Sequence, residues 1–162
     1  MSALFGFFRC ALIRQKRRRV AALQVILMTN KETVLAFIDR INAHDLDGLA
    51  ELMAEDHCFI DAHGNQVSGR EKMIAGWRGY FNWFPVYVIE VNEIFERGDT
   101  CAMLGVAGGS FRGRADASWR LPAAWKAIVK EGRVALWQVF ADTKIPFEII
   151  ERNSKTFPES AA

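Results

Sequence analysis

Cysteine is scarce in this 162-residue chain, whose three cysteines lie far apart and form no CxxC pair: Cys10, Cys58 and Cys101. An odd, sparse count argues against a disulfide framework and against a thiolate zinc site. The chain also lacks an apolar run near the ~20 residues that a membrane-spanning helix needs. Arg9 ends one apolar stretch and Gln24 lies within the other. We therefore predict a cytoplasmic protein with no membrane partner.

Acidic residues are absent from the first 31 positions, which hold seven Lys and Arg. The other 14 basic residues face 19 Asp and Glu, so the rest of the chain carries a net charge of −5. A domain of that charge does not wrap nucleic acid, and no nucleic-acid partner is expected. The basic cluster at 16–19 follows the first apolar patch, whereas a secretory signal has its charges first. An organelle presequence, a nucleic-acid or membrane-surface patch, and a loose tail or over-extended reading frame remain open, and we favour the last.

The rest of the composition suits one globular domain. Apolar residues make up 51% and aromatic residues 12%, enough for a core in a chain of this length. A capping box, Thr29-Asn30-Lys31-Glu32, opens the first amphipathic helix, so a domain that begins there is self-sufficient. The predicted division is a basic extension outside the fold (1–28), one domain (29–152) and a C-terminal tail (153–162).

Helical spacing dominates the first half of the domain, and strand alternation dominates the second. Asp45 is a candidate N-cap for a short second helix, and a second capping box at 68–71 opens a third helix that Pro85 ends. A short strand is predicted at 57–61, and Gly105, Gly108, Gly109 and Gly113 predict a bulged or sharply bent region between two strands. Four further strands, separated by turns at 97–99 and 131–132 or by the glycine-rich stretch, are predicted at 87–96, 100–106, 117–129 and 133–141. Three helices around one strand, then a four-strand antiparallel meander, indicate an α+β fold.

This order resembles the nuclear transport factor 2-like superfamily, in particular its SnoaL-like and ketosteroid-isomerase-like branch. The resemblance covers about residues 30–150, and it is carried by these segments: 37–47, 53–57, 59–61, 68–71, Trp77 with Tyr80-Phe81, Phe84-Pro85, and 131–134. It implies a cone-shaped, curved antiparallel sheet with three N-terminal helices enclosing an apolar pocket. The superfamily contains isomerases, polyketide cyclases, dehydratases, epoxide hydrolases and non-catalytic binding modules, so the fold leaves the reaction open.

Asp61 and His63 are the candidate catalytic residues. Asp61 ends the first strand, where the isomerase family has its general base, and aromatic walls would raise its pKa. Alternatively, Asp61 serves the turn that runs to Asn65. His63 could be a partner acid or a solvated turn histidine. Together with His57 these residues resemble a metal-ligand set, but the chain is already turning at His63, so no metal site is expected.

The remaining isomerase machinery does not match. The family's Tyr oxyanion donor corresponds to Phe37, and its protonated Asp corresponds to Trp125, or to Ala124 if the hairpin is gapped differently. Because one oxyanion donor is worth roughly 10²–10³ in rate, rapid steroid isomerisation is not expected.

Aromatic residues supply the predicted lining of the pocket, although plain core is the alternative for each of them. We expect ligand-binding positions at Phe37, Trp77, Phe81, Trp119, Trp125 and Trp137. Asp142 is expected at the pocket mouth, with a strand cap beside Lys144 as the alternative.

The functional expectation is a SnoaL-like protein that binds a small, largely apolar organic ligand and needs no cofactor. One form of this expectation is an isomerase, cyclase or dehydratase that transfers protons with Asp61 as general base. The alternative is a non-catalytic ligand-binding or dimerisation module of the same fold. A homodimer is expected, because the outer face of the meander must be covered.

Overall fold

A computed structural model describes residues 28–156 of the chain, with side chains up to residue 153. The described part forms a mixed α+β domain with one curved, unclosed sheet of six strands and four α-helices. The helices are α1 (Asn30–Asn42), α2 (Leu46–Leu52), α3 (Arg70–Trp83) and α4 (Lys144–Thr156). The strands are β1 (Met53–Ile60), β2 (Gln66–Ser68), β3 (Val88–Arg97), β4 (Thr100–Ser110), β5 (Ser118–Lys130) and β6 (Arg133–Ala141). The expectations for residues 1–27 lie outside the described residues.

The predicted caps open two of the helices. The Thr29 side chain accepts from the Glu32 amide, and Glu32 bonds back to the Thr29 amide, so the capping box of α1 is complete. The Asp45 side chain caps α2 by accepting from the Gly48 amide. The second predicted box is wrong: the N-cap of α3 is Gly69, with no side-chain hydrogen bond. Ser68 cannot act as the cap because it pairs with β1 as the last residue of β2.

The sheet runs in the order β2-β1-β6-β5-β4-β3. The four-strand meander, β3 to β6, is antiparallel as predicted. Two features differ from the prediction: β2 extends the sheet beyond β1, and β1 lies parallel to β6, so the sheet is mixed rather than purely antiparallel. The fourth helix was also not expected as a helix, since 133–141 was the last predicted element.

A bulge bends the edge strand β3. The register between β3 and β4 shifts between Val91 and Glu93, so Asn92 is the extra residue. Gly105 of β4 lies opposite, and a Cβ there would lie 1.9 Å from the carbonyl oxygen of Glu90. The predicted bent region is thus only partly right: β4 runs straight through Gly105, Gly108 and Gly109, and only Gly113 lies in the turn between β4 and β5.

The core lies between the helices and one face of the sheet, called here the inner face. Alternate residues of β5 are buried on it: Trp119, Leu121, Ala123, Trp125, Ala127 and Val129. Helix α1 covers this face with Val34, Phe37 and Ile41, each fully buried. At its C-terminal end the Asn42 side chain donates to the Ile89 carbonyl and accepts from the Ile89 amide, which fixes α1 to the edge strand.

Candidate functional site

Asp61 lies in the turn after β1 and bonds to that turn. Its Oδ1 accepts from the amide of His63 at 2.8 Å and from the amide of Asn65 at 2.9 Å. Its Oδ2 accepts from the Asn65 side-chain amide at 2.8 Å. The backbone closes the same turn, because the Asp61 amide donates to the Asn65 carbonyl. This is the turn geometry that the sequence left open as the alternative to a pocket base.

The expectation of a raised pKa at Asp61 is wrong. Partial burial acts to raise it, but the hydrogen bonds from Asn65 and from the His63 amide outweigh that effect, so the pKa of Asp61 is lowered. The carboxylate is therefore ionised at neutral pH and fully engaged by its own turn. Its role as a general base stays a prediction.

His63 and Asp142 lie where the β1–β2 turn meets the last helix. The His63 ring is exposed, its Nε2 lies 2.9 Å from the Thr143 hydroxyl, and its edge meets the ring of Phe147 at 5.3 Å. The Asp142 carboxylate is exposed and accepts from the Lys144 amide at 3.0 Å, which helps to begin α4. Both residues thus have local structural contacts.

The predicted lining residues are all buried, and the structure brings most of them together. Phe37 contacts Trp137 with ring centroids 5.2 Å apart, and Trp77 stacks on Phe81 at the same separation. Trp119 is joined to this second group through a ring that the sequence did not single out, Tyr87, at 6.0 Å. The interior therefore has two aromatic groups, with Trp125 buried on the strand that carries Trp119.

Tyr80 and Tyr87 complete the group around Trp77. Their rings meet edge to face at 5.0 Å, and burial raises the pKa of both phenols. From the sequence, Tyr80 was recognised only as part of the family pattern, and Tyr87 only as a strand residue. The signal was available, since Tyr80 lies between Trp77 and Phe84 at helical spacing.

Three indole N–H groups in this interior have no hydrogen-bond partner among the described residues: those of Trp77, Trp119 and Trp125. Indole nitrogen can only donate. Leaving a buried donor unpaired costs about 1–3 kcal/mol, so buried polar groups without partners need an explanation. The buried interior is therefore apolar with a few unpaired donors.

His57 is a further polar residue of the interior, and sequence reasoning weighed it only as a metal ligand. It is fully buried in β1, and its Nδ1 lies 2.7 Å from the carbonyl oxygen of Val134. Its Nε2 has no partner among the described residues. The sequence signal for its burial was strand alternation, which puts His57 on the same face as Phe59. In the structure the Cα of Phe59 pairs with that of Trp137. Within residues 28–156, no three His, Cys, Asp or Glu side chains are grouped so as to hold a metal ion.

The curved, unclosed sheet with helices over its inner face is the nuclear transport factor 2-like fold, which the structural neighbours share. Within that class the family is specific. The model of the SnoaL-like domain matches residues 34–137, and the chain belongs to this family.

Solved structures share the fold at low sequence identity. IdmH of Streptomyces antibioticus, a candidate polyketide cyclase, is 20% identical with a TM-score of 0.64, over 76% of this chain and 99% of its own. An LEH-like epoxide hydrolase of M. tuberculosis is 15% identical with a TM-score of 0.63, over 78% and 94%. A hypothetical protein of Catenulispora acidiphila with a ketosteroid isomerase-like fold, in complex with trimethylamine, is 20% identical with a TM-score of 0.62, over 69% and 86%.

Curated proteins give no match to this chain. Among the described residues, no helix is both long and apolar enough to span a membrane.

Proposed function

We propose that this SnoaL-like protein binds a small, largely apolar organic molecule that carries an oxygen acceptor, against the inner face of the sheet. The observation that carries the proposal is the set of unpaired indole N–H groups on Trp77, Trp119 and Trp125. A ligand oxygen would offset the cost of leaving such a donor unpaired, and the surrounding rings would bury the apolar part of the ligand. Apolar lining with few polar groups is the usual design of a small-molecule site.

The structural neighbours support a small organic ligand in general terms. One is an epoxide hydrolase, one is a candidate polyketide cyclase, and one was crystallised with trimethylamine. Their identities of 15–20% carry the fold rather than a particular ligand. The ligand class proposed here therefore rests on the donors of this chain.

Proton transfer by Asp61 is the second candidate, and binding without that chemistry has the better support. The carboxylate already accepts three hydrogen bonds, and its lowered pKa makes it a weaker base. What favours a catalytic role is its place directly after the end of β1, the strand that carries His57 and Phe59. An Asp61→Asn variant that still binds a ligand but no longer converts it would support proton transfer by Asp61.

The binding proposal is tested with a matched pair of probes. The ketone 1-tetralone offers an oxygen acceptor, whereas tetralin has the same ring skeleton without oxygen. We expect 1-tetralone to bind more tightly by calorimetry, and to shift the NMR signals of the buried indole N–H groups. Replacing Trp125 or Trp119 by Phe keeps a ring and removes the donor, and should weaken 1-tetralone binding about 3- to 10-fold at the residue that makes the bond.

Trp83→Phe is the control, because that indole is exposed at the end of α3. Native mass spectrometry of the purified protein adds an independent search for a co-purified molecule. Equal binding of the two probes, with no change in any Phe variant, would show that the unpaired indoles do not recognise a ligand.

A further inference from the structure

The side chain of His57 has one nitrogen committed to the backbone. Its Nδ1 lies 2.7 Å from the Val134 carbonyl oxygen. A carbonyl oxygen only accepts hydrogen bonds, so Nδ1 must carry the proton and donate. In the neutral ring this assignment leaves Nε2 as the unprotonated nitrogen, with a lone pair that accepts a hydrogen bond.

The neutral ring is the stable form in this environment. Burial lowers the pKa of His57, although the Val134 hydrogen bond and the charge of Asp56 act in the opposite direction. At neutral pH the side chain therefore offers an acceptor rather than a positive charge. The residue is fully buried, and its Nε2 has no partner among the described residues.

The surroundings of His57 are aromatic, and the unpaired indoles are of the opposite polarity. Its ring lies 6.0 Å from that of Phe37, which in turn contacts Trp137 at 5.2 Å. The interior thus contains one unpaired basic acceptor, and indole groups that only donate. A ligand group that satisfies Nε2 of His57 must donate a hydrogen bond, and one that satisfies an indole must accept. A hydroxyl group on an aromatic or enolic framework does both.

We infer that Nε2 of His57 accepts a hydrogen bond from the hydroxyl of the ligand, which is a phenol or an enol with an apolar ring system. This inference rests on the proposed binding function and deepens it by naming the recognising atom and the ligand class. A phenolic or enolic hydroxyl is a stronger donor than an aliphatic alcohol, and its flat ring suits the faces of Phe37 and Trp137. The contrasting interpretation is a histidine that only holds β1 to β6.

A second pair of probes separates the two interpretations. In 1-naphthol the hydroxyl can donate to Nε2, whereas in 1-methoxynaphthalene the oxygen has no proton to give. Long-range ¹H–¹⁵N NMR of the wild-type protein reads the state of His57 directly. We expect the tautomer with the proton on Nδ1, and a shift of the Nε2 signal with 1-naphthol but not with 1-methoxynaphthalene.

Two substitutions divide the roles of the two nitrogens. An Asn side-chain amide occupies the position of ring Nδ1, so His57→Asn keeps a donor toward Val134 and removes Nε2. A Gln amide reaches the position of Nε2, so His57→Gln keeps an acceptor there. We expect His57→Asn to bind 1-naphthol about tenfold more weakly, with no change for 1-methoxynaphthalene, and His57→Gln to retain part of the preference.

The outcomes distinguish this inference from the proposed function. If both probes bind equally to the wild type, or if the Nε2 signal does not respond to 1-naphthol, the role of His57 is refuted while binding in the interior stands. If neither probe shifts any buried indole signal, the interior does not take such ligands, and both proposals fail. The NMR measurement needs no variant, so it decides the matter even if His57→Asn does not fold.

Discussion

The carboxylate of Asp61 accepts three hydrogen bonds from the turn after β1, and this predicts how the protein responds when the charge is removed. Asp61→Asn should lower the free energy of unfolding by about 1 kcal/mol at pH 7, a modest value because the turn is close to solvent. The folded pKa lies below the unfolded one, so this stabilisation is present above the unfolded pKa and is lost as the pH falls through the folded value. Urea unfolding at pH 7 and pH 3 should therefore show a smaller difference at the lower pH.

Asp56→Asn is the control for that experiment, because Asp56 is an exposed carboxylate on β1, the strand that leads into the turn. A variant at Asp61 as stable as the wild type at pH 7 would argue against the turn role and restore the case for a pocket base.

At the scale of residues, the sequence predicted which side chains are buried better than what they do. Helical and strand spacing placed Phe37, Trp77 and Trp137 on buried faces, because burial follows periodicity. The state of His57 could not be predicted, since the carbonyl that fixes its tautomer belongs to Val134, 77 positions away. Asp61 had two local interpretations, and only the coordinates of its turn separate them.

At the scale of elements, the bulge of β3 depends on the absence of a side chain in β4. Gly105→Ala would bring a Cβ to 1.9 Å from the Glu90 carbonyl oxygen, a backbone atom that cannot move without breaking the strand pair. We expect a loss of about 2 kcal/mol or more in the free energy of unfolding, the scale of overpacking. Thermal and urea unfolding measure it.

Gly79→Ala supplies a matched control for Gly105→Ala. Gly79 lies in α3, and a Cβ there meets nothing within 4 Å. Because alanine favours a helix over glycine, this variant should gain about 0.5–1 kcal/mol. Similar effects of the two substitutions would mean that the close approach at Gly105 is relieved in solution.

Elements with local signals were predictable, and those set by distant partners were not. The capping box of α1 and the alternation of β5 each lie within a few residues of the element that they specify. Strand β2 has three residues, too few for alternation to mark it, and it exists because it pairs with β1. The parallel pairing of β1 with β6 has no local signal at all.

At the scale of the whole molecule, the outer face of the sheet carries an apolar surface. Leu104, Ala124 and Phe140 are cross-strand partners in one row of β4, β5 and β6, and Leu104 and Phe140 are about half exposed. Phe95 is exposed on the adjoining β3. We propose that two copies of the chain pair through this surface, because exposed apolar patches mark interaction sites in soluble proteins.

Leu104→Glu tests this pairing, since it introduces a charge at the middle of the row. We expect light scattering to give a dimer for the wild type at micromolar concentration and a monomer for the variant. Leu35→Glu, on the partly exposed side of α1, should leave the dimer intact. A wild-type protein that is monomeric across this range would contradict the proposal.

The parallel pairing of β1 with β6 also has a consequence for the growing chain. Cα partners such as Phe59 and Trp137 are separated in sequence by most of the domain. Pairing between strands so far apart in the chain is slow to form. On a ribosome, the three-residue β2 is the only sheet neighbour of β1 until residues 133–141 have emerged. The Val134 carbonyl emerges with the same strand. The hydrogen bond that sets Nε2 of His57 as the unprotonated nitrogen therefore forms only when synthesis of the domain is almost finished.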